Sequence, residues 1–299
     1  MNFAQKERLF WSEALMINGS ALPLIVPRAL LIGLFALVIT AVHLDARLPN
    51  LGIEITPFEW AGGVLSLLLV LRTNAGYDRW WEGRRLWGGI VNQSRNLAIA
   101  ALSYGPDDPA WRERIVRCAA AFAHAARLTL RGQRTPTQLI HLLGPDGAEQ
   151  VLQAEHMPSA IARLIGEAIR DARDRLGLDG FALLRIDTER AVLIDHIGAC
   201  EKVLKTPLPL AYRIEIRRFL LVFLASLPFA LVDRVAWWTP VVTVLLAIPL
   251  LAVDKIGTEL QYPFSPDSLN HLPLDEICAT IEGNLLAMVD QPTLAPPSL

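Results

Sequence analysis

The sequence predicts an all-α membrane protein with four transmembrane helices per subunit and a large cytoplasmic helical domain. Three observations lead there. First, 53% of the 299 residues are apolar, with a mean hydropathy of +0.35, more than a soluble surface tolerates. They gather in Leu22 to Val42, Ile53 to Leu71 and Phe219 to Val253. Second, Arg72 to Lys205 reads as aqueous protein with helical periodicity, Gly and Pro breaks and no convincing period-two strand. Third, VLSLLLVLRTNAGYDRWWEGRRLWGG (Val64 to Gly89) passes from apolar to charged without a proline. Up to Leu71 only Ser66 is polar; Asp78, Glu82 and four arginines follow, with Trp80 and Trp81 at the changeover. Hydrocarbon, then aromatic, then cationic is the order of a helix leaving a bilayer into the cytoplasm.

The elements follow in order. Residues 1–21 carry Phe3, Leu9, Phe10 and Leu15 at amphipathic spacing among Lys6, Glu7, Arg8 and Glu13. This predicts an interfacial cytoplasmic helix rather than a cleavable signal. Leu22 to Val42 has about the 20 residues that a hydrocarbon core of about 30 Å requires. Arg28, near its start, can snorkel to the headgroups. The loop His43 to Thr56 has Asp45, Arg47 and Glu54 but no lysine, and the second span starts at about Pro57. Positive-inside counting puts the N-terminus and Arg72 to Arg85 on the cytoplasmic side.

Helices are expected over Arg79 to Leu102, Pro109 to Leu130, Pro136 to Leu143, Pro158 to Leu176 and Phe181 to Leu204. They stop at Gly105-Pro106, Gly132, Gly144-Pro145 and Gly177 to Gly180. Phe219 to Val232 and Trp237 to Val253 then form a membrane hairpin turning at Asp233-Arg234-Val235-Ala236. Its prolines, Pro228, Pro240 and Pro249, need neighbouring helices to satisfy freed carbonyls. Past Lys255 the chain returns to the cytoplasm, with a last helix at Leu274 to Met288 and disorder from about Gln291. The expected divisions are 1–21, 22–78 (with the second membrane helix at 57–78), 79–215, 216–254 and 255–299.

A net charge of −2 argues against a nucleic-acid partner, which needs a basic excess. Cys118, Cys200 and Cys278 are isolated in helical stretches and read as reduced packing thiols. None of the motifs G-x-S-x-G, G-x-x-x-x-G-K-[ST], H-E-x-x-H, C-x-x-C or G-x-G-x-x-G occurs, and the six histidines are scattered. No catalytic site, metal site or cofactor is predicted, so the chain does not read as an enzyme. One stripe stands out: Glu59, Gly63, Leu67 and Leu71 recur every four residues along the second span. Such a stripe either packs against lipid and other helices or, with several copies around an axis, makes a dry constriction. Composition does not choose between them.

LRTNAGYDRWWEGRRLWG (Leu71 to Gly88), VNQSRNLA (Val91 to Ala98), CEKVLKTPLPLAY (Cys200 to Tyr212) and YPFSPDSLNHLPLDEIC (Tyr262 to Cys278) together resemble the prokaryotic branch of the bestrophin family. The resemblance implies a homopentameric ion channel in the bacterial inner membrane, multi-pass, with both termini cytoplasmic and one central pore. The partners it implies are the chain itself, the lipid bilayer and permeant monovalent ions. The family's neck lies eight, twelve and sixteen residues before the Arg of R-W-W, which here gives Leu71, Leu67 and Gly63, on the stripe already found. Gly63 departs from the bulky aliphatic residue usual there. Arg79, Trp80 and Trp81 become the interfacial anchor, and Phe181 and Leu184 are candidates for a cytoplasmic aperture.

The acidic calcium clasp of eukaryotic members has no counterpart in Pro263 to Asn270, where Asp267 is the lone carboxylate. The prokaryotic branch is associated with monovalent cations, and Glu54 and Glu59 at the outer mouth would concentrate them. Sodium or potassium is therefore the expected ion, with a chloride channel of the same architecture as the alternative. A non-conducting scaffold, docking partners through Arg163, Arg170 and Arg173, is a second alternative. A transporter is disfavoured by the lack of inverted repeats.

Overall fold

A computed structural model describes residues 12, 16, 17, 19–44 and 52–290. The N-terminal helix expected over 1–21 falls almost wholly outside these residues, as does the tail from about 291. Among the described residues every regular element is a helix. They are α1 (Leu22–Leu44), α2 (Thr56–Tyr104), α3 (Pro109–Leu130), α4 (Thr137–Gln153), α5 (Met157–Leu176), α6 (Gly180–Lys205), α7 (Leu210–Val235), a 3₁₀ turn (Ala236–Trp238), α8 (Thr239–Glu259) and α9 (Leu274–Asp290). The chain forms two compact units: Met1–Trp80 with Pro207–Tyr262 and Asp267–Asn270, and Trp81–Thr206 with Pro263–Pro266 and His271–Leu299.

In the first unit α1, the start of α2, α7 and α8 enclose a core of Ala29, Leu65, Leu69, Leu220, Leu224 and Leu227. Close packing rests on small residues. Gly33 on α1 meets Val244 with no room for a Cβ, and a Cβ on Gly76 of α2 would lie 2.9 Å from the carbonyl oxygen of Gly257 on α8. The outer faces stay apolar: Leu31, Leu34, Val38, Leu221, Val222 and Leu245 are exposed. A belt of that kind belongs in hydrocarbon rather than water. Leu22–Leu44 and the 50 residues Leu210–Glu259 are long and apolar enough to cross a membrane. The hairpin turn is tight, and Ala236 takes a φ of 45° to make it.

In the second unit α3 is the central helix. Ile115 through Leu130 is buried almost throughout because alanines at 119–121, 123, 125 and 126 let neighbouring helices close around it. Asp108 caps it, accepting from the Trp111 amide at 2.7 Å, and the Trp111 indole donates to the Ala168 carbonyl of α5 at 2.7 Å. The predicted bounds of α3 are the observed ones. The stop expected at Gly144-Pro145 is instead a kink inside α4: Gly144 alone turns non-helical, at φ 75°, and the helix resumes to Gln153.

Helix α9 is tied to α3 by charge. Asp275 accepts from Arg127 and, at 2.6 Å, from Arg131, while the His124 ring meets Glu282 at 2.7 Å. Burial outweighs the influence of Glu282 and holds the His124 pKa below its ordinary 6.5. The unfolded chain would bind a proton that the native site refuses, so acidification through and below 6.5 is expected to lower the thermal midpoint, with no contribution above that value. Thermal unfolding from about pH 8 to about pH 5 checks this, and His124→Gln should remove part of the slope. The thiols of Cys118, Cys200 and Cys278 are free and buried. Burial raises their pKa to about 11, about 12 and about 12.

Candidate functional site

Helix α2 has two faces with opposite fates. Leu65, Leu69, Arg72 and Gly76 follow one another every three or four residues and are all buried. The opposite stripe is uncovered. Leu67 is 60% exposed and Leu71 49%, and a Cβ built on Gly63 would meet nothing within 4 Å. Glu59, exposed in the first turn of α2, favours the positive end of the helix dipole. Glu54, also exposed, accepts from the Thr56 hydroxyl at 3.1 Å just before the helix starts. Glu59, Gly63, Leu67 and Leu71 thus lie along one exposed stripe of α2, acidic at its beginning and apolar beyond, with Glu54 exposed just before the helix.

Behind that surface, one residue past Leu71, lies a buried charge network that sequence reasoning missed. The Arg72 guanidinium is fully buried, pairs with Asp254 of α8, and donates to the Thr258 hydroxyl at 2.8 Å. Arg217 of α7 reaches Asp254 at 3.5 Å and Thr258 at 3.2 Å, and Arg213 donates to the Tyr262 hydroxyl at 3.1 Å. A lone aspartate ending an apolar run was the one signal available, since the partners are 182 residues apart.

The R-W-W motif is also tied to the chain beyond α8. Arg79 donates to the Gln261 carbonyl at 3.4 Å and the Trp80 indole to the Asn270 carbonyl at 2.7 Å. Tyr77 stacks on Trp80 with centroids 6.2 Å apart, and Trp81 is exposed. In the second unit Phe181 and Leu184 lie in the first turns of α6, capped by Asp179, which accepts from the Phe181 amide at 2.9 Å. They are 85% and 63% exposed, one turn apart on the same side.

Of the arginines read as a docking surface, Arg163 and Arg173 have acidic neighbours. Arg163 and Arg173 lie 3.8 and 3.5 Å from Glu167 and Asp174, and Asp171 pairs with Arg114 at 3.2 Å. Glu259, beside the segment where a calcium clasp would fall, is taken up by Lys255 at 2.5 Å and the Leu269 amide at 2.9 Å. Among the described residues no group of three His, Cys, Asp or Glu is placed to hold a metal ion.

Comparison with known proteins places this geometry in a family. A family model described as Bacterial/Fungal Bestrophin protein matches residues 1–287. The voltage-dependent anion channel-forming protein of Nostoc sp. is 34% identical, covering 95% of this chain and 92% of that protein. The voltage-dependent anion channel-forming protein YneE of Escherichia coli is 33% identical, covering 94% and 92%. The crystal structure of a bacterial bestrophin homologue from Klebsiella pneumoniae superposes with a TM-score of 0.81 at 29% identity, over 90% of this chain and all of that one. Matched nearly end to end in sequence and fold, the chain belongs to the bacterial and fungal bestrophin family of membrane channel proteins.

Proposed function

We propose that five copies of this chain surround an axis lined by the uncovered face of α2 and form a channel for small monovalent ions. The observation that carries this reading is the contrast on one helix. Leu65 and Leu69 are packed against their own subunit while Leu67 and Leu71, two residues on in each case, stay about half exposed or more. In this arrangement each subunit crosses the membrane four times, with both termini cytoplasmic. Gly63, Leu67 and Leu71 form an apolar neck that gates by dewetting. Glu54 and Glu59 line the outer vestibule, Phe181 and Leu184 contribute the cytoplasmic aperture, and Arg79, Trp80 and Trp81 anchor the helix at the interface.

The names of the relatives favour anions over the sodium or potassium expected from the sequence, so chloride is the principal reading. An apolar neck imposes no sign of its own. The cation reading keeps one specific support, the exposed Glu54 and Glu59, whose charge would be multiplied fivefold at the mouth. The deciding measurement is the reversal potential of purified protein in planar bilayers under a potassium chloride gradient. Reversal at the chloride potential is expected; reversal at the potassium potential establishes the cation channel, and absence of conductance removes both. A native mass of five copies of 33.0 kDa tests the assembly separately.

A further inference from the structure

The charge network behind α2 is unbalanced. Arg213 and Arg217, four residues apart on α7, present guanidinium groups on one face. Asp254 and Thr258 of α8 face them, with Tyr262 beyond and Arg72 of α2 completing the cluster. Arg72 and Arg217 pair with the Asp254 carboxylate and Arg213 with the neutral Tyr262 hydroxyl, so three clustered cations meet one negative charge. Nearby charges do not supply the deficit, because Lys255 pairs with Glu259 at 2.5 Å and Arg218 with Glu215 at 2.7 Å. The Nε atoms of Arg72 and Arg213 are enclosed without a hydrogen-bond acceptor. An excess of two positive charges, partly enclosed, is costly unless an anion joins it.

Arg217 is half-exposed, which leaves the cluster open on one side. The apolar run of α7 starts at Phe219, so the opening falls at headgroup depth on the cytoplasmic side of the proposed membrane arrangement. We propose that Arg213 and Arg217, backed by Arg72, bind the phosphate of an anionic phospholipid from the cytoplasmic leaflet. Guanidinium groups bind phosphate oxygens in pairs of parallel hydrogen bonds, and the half-exposed Arg217 lies at the open side. The site rests on the membrane arrangement of α7 and α8 but not on ion conduction.

The test is native mass spectrometry of the full-length protein in detergent with added phosphatidylglycerol or phosphatidylcholine, with inorganic phosphate as competitor. Phosphatidylglycerol is expected to bind preferentially, with about a tenfold or greater loss in an Arg213→Gln, Arg217→Gln variant, the worth of one charged hydrogen bond. Arg218→Gln should leave binding unchanged, and Arg213→Lys with Arg217→Lys should restore most of it, which a purely structural role would not. Displacement by millimolar inorganic phosphate would assign the same cluster to free phosphate. Equal binding of the two lipids with no phosphate effect, or full binding by the double Gln variant, overturns the proposal. The same spectra report subunit number, so a lipid-binding protein that is not pentameric would keep this site and lose the channel arrangement.

Discussion

Asp254→Asn is expected to lower the thermal midpoint of the detergent-solubilised protein sharply, at a cost of about 3–5 kcal/mol. The carboxylate has only 11% of its side chain exposed and faces an Arg72 side chain with none. Asparagine keeps the shape but removes the charge and replaces one of the two acceptor oxygens with an NH2 donor, stranding a buried guanidinium beside two other arginines. The pair itself contributes far less than its removal costs, because both ions were desolvated on folding. A double variant, Arg72→Met with Asp254→Leu, should therefore recover most of the loss, and the cycle of four proteins gives the coupling energy directly. An Asp254→Asn protein as stable as the parent would show that the Thr258 hydroxyl and the asparagine carbonyl satisfy Arg72 without the negative charge.

Leu67→Ala combined with Leu71→Ala is expected to raise single-channel conductance several-fold while changing stability little. Each substitution removes three carbons, so five subunits lose roughly fifteen carbon atoms at each level of the neck, enough to wet a dewetted constriction. The control lies on the other face of the same helix. Leu65→Ala, which opens a cavity in the subunit core, should cost about 2–5 kcal/mol and leave the open-state conductance alone. Recordings in planar bilayers and thermal unfolding separate the two. Unchanged conductance in the double variant moves the barrier away from this stripe, and Phe181→Ala and Leu184→Ala become the next variants to record.

Most helices were legible because their ends are written in local chemistry. Pro109 after Asp108 starts α3, Gly177 in the left-handed conformation ends α5, and Asp179 starts α6. Where local signals misled, tertiary context had the say. Gly144-Pro145 has the composition of a stop, yet proline can open a new turn and the helix resumed. Helix α7 starts at Leu210, well before Phe219, because hydropathy registers only the apolar part of a helix whose first turns carry Arg213, Arg217 and Arg218. The stripe of Glu59, Gly63, Leu67 and Leu71 was visible as spacing, and the structure adds that it is the unpacked side. The Arg72–Asp254 pair was invisible because nothing local marks it. The expected sign of the permeant ion rests on two glutamates and on the resemblance to the prokaryotic branch, whereas the relatives' names point the other way. A pore's field sums every charged ring along it, and one subunit's sequence does not give their radii.

The three buried thiols have a practical corollary for mapping this protein. With pKa values of about 11 to 12, they hold almost no thiolate near neutrality and present no target to polar sulfhydryl reagents. Site-directed probe chemistry can therefore start from the native background, without first removing every cysteine. In Leu67→Cys or Leu71→Cys proteins the introduced sulfur would be the fast-reacting one. Its modification rate by a charged methanethiosulfonate would report whether water or hydrocarbon bathes that position, and positive and negative reagents compared side by side would report the local potential as well.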